Sequence, residues 1–192
     1  MTPTDAQTWI PMQLEELRLL LLARGHAQYT GEPVNHLEHA LQCAALAQRA
    51  GAPAALMTAA LLHDIGHLLD GIRGTPSLEG IDDRHEVRAA ELLSRWFGSD
   101  VTEPVRLHVA AKRALAADSR YWRALSEDSR RSLALQGGAF DAAAIAAFAL
   151  QPHAAEALAL RRWDDAAKRP GRVTPTLDAF WPTVRVCARP DA

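Results

Sequence analysis

Hydrophobic positions recur along most of the chain with the spacing of amphipathic helices. Over residues 12–25, the leucines at positions 14, 17 and 21 share one face, and Gly25 follows as a stop signal. A second helix is predicted to open at Asn35, where Glu38 completes a capping box, and to run to Gly51. Pro53 suits the first turn of a third helix, which carries the apolar run "LMTAALL". The chain offers no alternating strand pattern of useful length.

The rest of the pattern predicts five more helices, over 84–97, 103–117, 127–136, 141–149 and 154–168. The connection 70–83, "DGIRGTPSLEGIDD", is rich in glycine and aspartate and has the length of an active-site lid. The segment after residue 168 is rich in proline. We therefore predict an all-α fold with one domain over residues 1–192, in which the N-terminal helix and the proline-rich C-terminal tail are peripheral.

Composition and charge exclude several classes of protein. The 192 residues can form one domain with a single substantial core. A formal net charge of −2, without a block of lysine and arginine, argues against a nucleic-acid surface. No apolar run has the length of a membrane span, and the N-terminus lacks the layout of a secretory signal. Cys43 and Cys187 form no spacing motif, so the chain is typical of a cytoplasmic protein with reduced thiols.

The end of the third helix carries the first sign of chemistry. His63 and Asp64 stand side by side after an apolar run, and burying such a pair without partners costs several kcal/mol. Taken singly, each histidine of the chain also suits an ordinary core or surface position. As a set, imidazoles and carboxylates on separate helices can converge in a bundle core, where they suit borderline ions such as Fe, Mn, Co or Zn. The candidate ligands are His39, His63, Asp64, His85, His108 and Asp164.

The order of these residues resembles the HD superfamily of metal-dependent phosphohydrolases, and the two extra histidines resemble its dinuclear branch. Between residues 29 and 168, longer fragments resemble the PhnZ-like HD oxygenases of phosphonate catabolism. These fragments are "YTGEPVNHLEHALQCA", "ALLHDIGH", "RHEVRAAELL", "HVAAKR", "LSEDSRRSLALQGG" and "RRWDDAAK". The resemblance implies an HD-type helical bundle around a dinuclear site. It also implies two iron ions in a mixed-valent Fe(II)/Fe(III) state, with dioxygen as co-substrate.

The resemblance further implies how the ligands divide between the two ions, with Asp64 as the bridge. Asp164 is favoured over Asp165 because Lys168 follows Asp164 by four residues, as in the family's closing motif. The first iron would be held by His39, His63, Asp64 and Asp164, and the second by His85, His108 and Asp64.

Substrate-binding roles follow from the same resemblance. Lys112 shares a helix face with His108, and its ammonium would bind a phosphonate oxygen. Tyr29 resembles an iron-capping tyrosine that substrate displaces, and Glu32 resembles the carboxylate that receives a cationic substrate nitrogen. His67 either donates to the substrate or only orders its loop. The expected phosphonate donors are completed by Ser129, Ser132 and Gln136, a polar stripe on one helix face, and by Arg161.

The resemblance to the PhnZ-like oxygenases thus implies an oxygenase that cleaves the C–P bond of a 1-hydroxy-2-(amino or trimethylammonio)ethylphosphonate, giving phosphate and glycine or glycine betaine. The expected partner is this small organophosphonate, supplied by a hydroxylase of the same pathway, and neither nucleic acid nor membrane is expected. The main alternative is an HD phosphohydrolase acting on a nucleotide or other phosphate ester, with which Lys112 and the serine stripe are equally compatible. A non-catalytic sensing module and a polyol oxygenase, as in the inositol oxygenases, are further alternatives. The nature of the substrate nitrogen and the oligomeric state stay open.

Overall fold

The computed structural model describes residues 14–29, 31–69 and 75–189. Within these ranges the chain is helical, and the one β pairing is an isolated bridge between Gln28 and Asn35. The all-α prediction is confirmed. The helices are α1 (Leu14–Arg24), α2 (His36–Arg49), α3 (Ala54–Leu62), α4 (His85–Leu93), α5 (Ser99–Leu115), α6 (Ser119–Ala124), α7 (Glu127–Leu135), α8 (Ala142–Ala149), α9 (Ala154–Ala166) and α10 (Leu177–Cys187), with 3₁₀ helices at Ile65–Leu68 and Pro76–Glu79.

Several helices begin where the sequence places a polar cap. The Asn35 side chain accepts from the Glu38 N–H at 2.8 Å, and the Glu38 carboxylate accepts from the Asn35 N–H at 3.0 Å. This reciprocal pair is the predicted capping box of α2. Ser126 and Asp141 cap α7 and α8 by accepting backbone N–H groups of the first turn. Local chemistry therefore fixes where these helices start.

Two predicted boundaries differ from the structure by four residues, and the helices α6 and α10 were not predicted. The helix α5 begins at Ser99, four residues before the expected start, because Pro104 is accommodated inside the helix. The helix α4 ends at Leu93 instead of residue 97, and Trp96 and Phe97 pack into the core beyond its end. The short helix α6 buries none of its residues, so it has no apolar periodicity by which to predict it. Residues 70–74 of the predicted lid lie outside the described ranges, as do residues 12 and 13 of the first predicted helix.

The helices α1 and α10, near the two ends of the chain, contribute to the main core. The helix α10 packs against α3, and α1 contributes to the same main core. Pro170 and Pro175 precede α10, and Thr176 caps it, so these prolines belong to the connection and not to the helix itself. The buried side chains of the two helices are Leu17, Leu21, Leu177, Phe180, Trp181 and Val184.

The packing of the central helices determines where the polar candidates meet. The helix α5 packs against α3, α4 and α9, and α2 packs against α3 and α9. Each of these five helices carries at least one of the predicted metal ligands, either within the helix or at its end. The candidates are therefore brought together in the interior of the bundle.

The helices are short, and most pack on one another. Within the part of the chain that the structure describes, no single helix is long and apolar enough to cross a membrane. The helices α8 and α9 reach the length and apolar composition of a membrane span only when they are counted together, and the chain bends by 111° between them.

Candidate metal centre

Asp64 stands between two pairs of histidines and presents a different oxygen to each pair. Its Oδ2 lies 3.4 Å from His39 Nε2 and 3.2 Å from His63 Nε2. Its Oδ1 lies 3.6 Å from His85 Nε2 and 3.7 Å from His108 Nε2. A carboxylate placed in this way can bridge two metal ions, one in each pair of imidazoles.

The spacing within each pair fits ligands of one ion. The Nε2 atoms of His39 and His63 are 3.4 Å apart, and those of His85 and His108 are 3.1 Å apart. Asp164 Oδ1 lies 3.4 Å from His39 Nε2 and joins the first pair. Metal–nitrogen bonds of about 2.0–2.1 Å place neighbouring ligands roughly 3.0–3.4 Å apart. The nitrogen and oxygen donors therefore fit two borderline ions in both type and spacing.

The far nitrogen of each imidazole fixes the orientation of its ring. An acceptor faces Nδ1 in all four histidines, so an Nδ1–H can donate to it and leave the Nε2 lone pair free to bind a metal ion at the centre. Asp164 Oδ1 is buried without a hydrogen-bond partner among the described residues. The acceptors are the carbonyls of Ala167 for His39 (3.0 Å), Ala60 for His63 (3.0 Å) and Val105 for His108 (2.6 Å), and the carboxylate of Asp83 for His85 (2.9 Å).

Both carboxylates of the centre stay ionised although they are buried. Burial alone would raise the pKa of Asp64, but the imidazoles of His63 and His39 hold that pKa well below its usual range. Burial also opposes ionisation of Asp164, whose pKa is held well below its usual range by the Arg161 guanidinium first and by His39. Two buried, negatively charged carboxylates among four imidazoles form a site that a divalent or trivalent cation would neutralise.

A glycine allows the two halves of the centre to approach closely. A Cβ on Gly66 would lie 2.1 Å from the carbonyl oxygen of His85 and 2.8 Å from its carbonyl carbon. The 3₁₀ helix after Asp64 therefore packs directly on the backbone of a candidate ligand of the second ion.

Replacing Gly66 by alanine should displace His85 and weaken metal binding in the second half of the centre. Overpacking of this kind typically costs about 1–3 kcal/mol, so we expect a lower melting temperature together with loss of one bound metal ion per chain. Metal analysis and thermal denaturation measure the two effects. Gly80→Ala is the control, since its methyl group would meet open space and only the left-handed backbone, with φ +72°, would be strained. Full metal content in Gly66→Ala would contradict the expected coupling.

A cavity of about 40 Å³ lies beside the centre. A water molecule needs roughly 10–15 Å³ by the same measure, so the cavity has room for a few water-sized groups. Its walls include His85 and Asp164 of the centre. The predicted substrate-binding residues that line it are Tyr29, His67, Lys112, Ser129, Ser132, Gln136 and Arg161.

Lys112 is the buried cation of the predicted phosphonate site. Its Nζ donates to Ser132 Oγ at 2.9 Å, across from α5 to α7. Burial, reinforced by the nearby Arg161 guanidinium, lowers the pKa of Lys112 to about 7. Gln136 also lines the cavity, and its Oε1 is buried without a partner among the described residues. The wall therefore offers the Lys112 ammonium as a donor to a bound anion, and Gln136 Oε1 as an acceptor for a donor group of the ligand.

Arg161 lines the cavity, but most of its guanidinium is engaged with the protein. Its Nη1 lies 2.7 Å from Asp164 Oδ2, and its Nη2 pairs with the carboxylate of Asp165. Its Nε lies 3.2 Å from the hydroxyl of Tyr121, which itself donates to Asp165. Asp165 thus holds Arg161, and Arg161 in turn orients Asp164 so that its Oδ1 faces the histidines. Direct contact of Arg161 with substrate stays a prediction.

Tyr29 and His67 flank the bridging carboxylate. The Tyr29 hydroxyl donates to Asp64 Oδ2 at 2.6 Å, and its ring stacks on His39 with centroids 4.3 Å apart. His67 Nδ1 lies 2.7 Å from Asp83 Oδ2, and its Nε2 lies 4.0 Å from Asp64 Oδ1. Tyr29 therefore lies on the side of Asp64 that faces His39, and His67 lies beside the other carboxylate oxygen, which faces His85.

The structure places Glu32 differently from the other predicted contacts. Its Oε1 lies 2.7 Å from Lys168 Nζ and accepts from Ser126 Oγ at 2.5 Å. Glu32 is not among the described residues that line the cavity, whereas Lys168 is. A contact between Glu32 and a substrate nitrogen stays a prediction.

Two further residues of the site were not identified from the sequence. Asp83 accepts from Nδ1 of His85 and lies beside Nδ1 of His67, so it orients both rings. Burial opposes its ionisation, but the contacts with His67 and His85 hold the pKa of Asp83 below its usual range. The signal in the sequence that could have identified Asp83 was its position two residues before the candidate ligand His85. Lys168 was used only as a marker for Asp164, although it is one of just two lysines in the chain.

Comparison with known proteins shows similarity to the HD-domain family and to phosphonate dioxygenases. The family model described as HD domain matches residues 36–147. A [1-hydroxy-2-(trimethylamino)ethyl]phosphonate dioxygenase (glycine-betaine-forming) of Leisingera caerulea is 44% identical over 164 residues, which cover 84% of this chain and 83% of the relative. A hydroxymethylphosphonate dioxygenase of Gimesia maris is 44% identical over 172 residues, 88% of this chain and 86% of the relative. An uncharacterised protein of Acanthamoeba polyphaga mimivirus is 32% identical over 159 residues, 81% of this chain and 73% of the relative.

Proposed function

Since this chain belongs to the HD-domain family and, within it, to the phosphonate dioxygenases, we propose that it uses dioxygen to cleave the C–P bond of a small 1-hydroxyalkylphosphonate. The observation that carries the proposal is the cavity beside Asp64 and its two histidine pairs, in which Lys112 and Ser132 lie on the wall together with His85 and Asp164. A phosphonate held there would bring its C1 carbon to the centre. The proposed products are phosphate and the carboxylic acid derived from C1.

We propose iron as the metal, as a mixed-valent Fe(II)/Fe(III) pair held by the six converging side chains. Such a pair would supply the redox and dioxygen chemistry that amino-acid side chains lack. The overall reaction balances without a reductant: R–CH(OH)–PO₃²⁻ and O₂ give R–COO⁻, HPO₄²⁻ and H⁺. The contribution of the protein is to bind, orient and neutralise the substrate.

The side chains around the cavity have separable roles in this proposal. Lys112, Ser129, Ser132 and Gln136 would hold the phosphonate oxygens. Burial, followed by the charge of Asp64, raises the pKa of Tyr29, so its hydroxyl stays protonated and bonded to Asp64 until substrate displaces it. For a 1-hydroxy-2-(amino or trimethylammonio)ethylphosphonate, we propose that Glu32, which contacts Lys168 at the cavity wall, receives the substrate nitrogen. The product would then be glycine or glycine betaine.

We further propose that a partner hydroxylase installs the C1 hydroxyl group, because the reaction starts from a phosphonate that is already oxidised at this carbon. The proposed location is the cytoplasm, with Cys43 and Cys187 as free thiols. The net charge of −2 supports a small-molecule substrate and not nucleic acid.

The direct test is phosphate release by protein reconstituted with iron. Hydroxymethylphosphonate and 1-hydroxy-2-aminoethylphosphonate should each be offered in air, and at least one should yield phosphate and the matching acid. A nucleoside monophosphate and 4-nitrophenyl phosphate are the controls, and they should be poor substrates. Faster release from the esters than from both phosphonates would contradict the proposal.

Replacing Lys112 by methionine should lower kcat/KM for every phosphonate by about one to two orders of magnitude, the effect of losing one charge-assisted contact. Lys112 can lose its charge in the wild type, whereas the methionine of the variant is uncharged at every pH. With a pKa of about 7 in the substrate-free protein, its charged fraction falls as pH rises. The advantage of the wild type over the variant should therefore shrink between about pH 6 and pH 9. Steady-state kinetics across that interval measure it, and a constant ratio would contradict a titrating Lys112.

A further inference from the structure

Glu32 belongs to a small ion-pair cluster at the edge of the cavity. Lys168 Nζ lies 2.7 Å from Glu32 Oε1, and Ser126 Oγ donates to the same oxygen. Both members of the ion pair are largely buried, with side-chain exposures of 12% for Lys168 and 7% for Glu32. The carboxylate is therefore neutralised by the protein itself before any ligand enters.

Lys168 also faces the part of the cavity that would hold the phosphonate. Its Nζ lies 3.1 Å from Ser129 Oγ and 5.6 Å from the centroid of the Tyr29 ring. The ammonium thus stands between Glu32 and the cavity. It also occupies the face of the one aromatic ring among the described cavity-lining residues that could attract a quaternary ammonium.

We propose that Lys168 is a specificity-determining residue whose ammonium competes with a cationic substrate nitrogen for the carboxylate of Glu32. This inference rests on the proposed function and deepens it, since the named substrates of the two phosphonate dioxygenase relatives differ in such a nitrogen. A substrate without nitrogen leaves the ion pair intact and gains the attraction of Lys168 for its phosphonate. A substrate with an ammonium group has to share Glu32 with a second cation, and the two cations repel each other.

The test compares ligands that differ only in charge. Ethylphosphonate and 2-aminoethylphosphonate have similar size and lack the C1 hydroxyl, so their binding to the iron-loaded protein can be measured by calorimetry under nitrogen. In Lys168→Met, the affinity for ethylphosphonate should fall while that for 2-aminoethylphosphonate rises. The ratio of the two dissociation constants should shift by about tenfold, as expected for one charge-assisted contact. An equal change for both ligands would overturn the proposal.

Lys112→Met is the matched control, because it removes the other lysine of the chain. It should weaken both ligands by the same factor, since Lys112 faces the phosphonate and not Glu32. Circular dichroism checks that each variant folds, and Lys168→Gln replaces Lys168→Met if the latter does not.

A double-mutant cycle with Glu32→Gln tests the competition itself. In the Glu32→Gln background, Lys168→Met should shift the ratio several-fold less, because no carboxylate is left to compete for. An undiminished shift would show that Lys168 repels the ammonium directly, and it would contradict the proposed competition for Glu32.

Phosphate release from hydroxymethylphosphonate in air separates the failure of this inference from that of the proposed function. Normal release with an unshifted ratio would overturn the role of Lys168 alone. A shifted ratio without phosphate release would overturn the proposed function alone. Failure of both phosphonates to bind the wild type would overturn both.

Discussion

Replacing Asp64 by alanine should remove both metal ions and abolish phosphate release. Its two oxygens face different histidine pairs, Oδ2 at 3.2 Å from His63 Nε2 and Oδ1 at 3.6 Å from His85 Nε2. Loss of one carboxylate therefore takes a ligand from each ion at once. It also removes the buried negative charge that each pair of imidazoles shares. Iron analysis after anaerobic reconstitution and electron paramagnetic resonance measure the outcome.

Two further variants test whether the loss of both metal ions in Asp64→Ala arises because Asp64 bridges them. The carboxylate of Asp164 lies 3.4 Å from His39 Nε2 and 3.9 Å from His63 Nε2, so Asp164→Ala should cost one ion and spare the other. Asp82→Ala removes an exposed carboxylate of the cavity rim and should keep both. Retention of two iron ions in Asp64→Ala would rule out the bridge, and one zinc ion in the purified wild type would rule out the diiron assignment.

Excluding dioxygen should stop phosphate release from a 1-hydroxyalkylphosphonate completely, and readmitting air should restore it. The C1 carbon gains two oxidation levels when it becomes a carboxylate, and the balanced reaction takes both oxygen atoms of one O₂. Consumption measured with an oxygen electrode should equal the phosphate released, one to one. No external reductant should be required.

The phosphohydrolase alternative gives the opposite result. Two metal ions that activate water and clamp a phosphate release it whether or not dioxygen is present. Equal rates in air and under nitrogen would therefore establish hydrolysis and contradict oxidative cleavage. Phosphate esters offered under nitrogen complete the comparison, since a hydrolase should turn them over and an oxygenase should not.

The sequence alone determined the helical elements that local chemistry specifies. The caps Asn35, Ser126 and Asp141 appear in the structure as side chains that accept a backbone N–H group of the first helical turn. Such a contact joins residues only three positions apart, so it does not depend on the rest of the fold. The position of α10 was different. Its buried Phe180 and Trp181 are stabilised by α3, far away in the chain, so local composition suggested only a proline-rich tail.

The candidate ligands could be chosen from the sequence because four histidines and two aspartates stand at fixed places on apolar helices. Only the tertiary structure decided which of these side chains face one another and which residues orient them. The sequence does not specify the distances from Asp64 to the rings of His39, His85 and His108 on other helices, nor the orientation that Asp83 imposes on His85. It equally left Glu32 as a free carboxylate in a loop. The packing of the end of α9 against that loop brings Lys168 to it, because an ion pair between residues 136 positions apart forms only after the chain has folded.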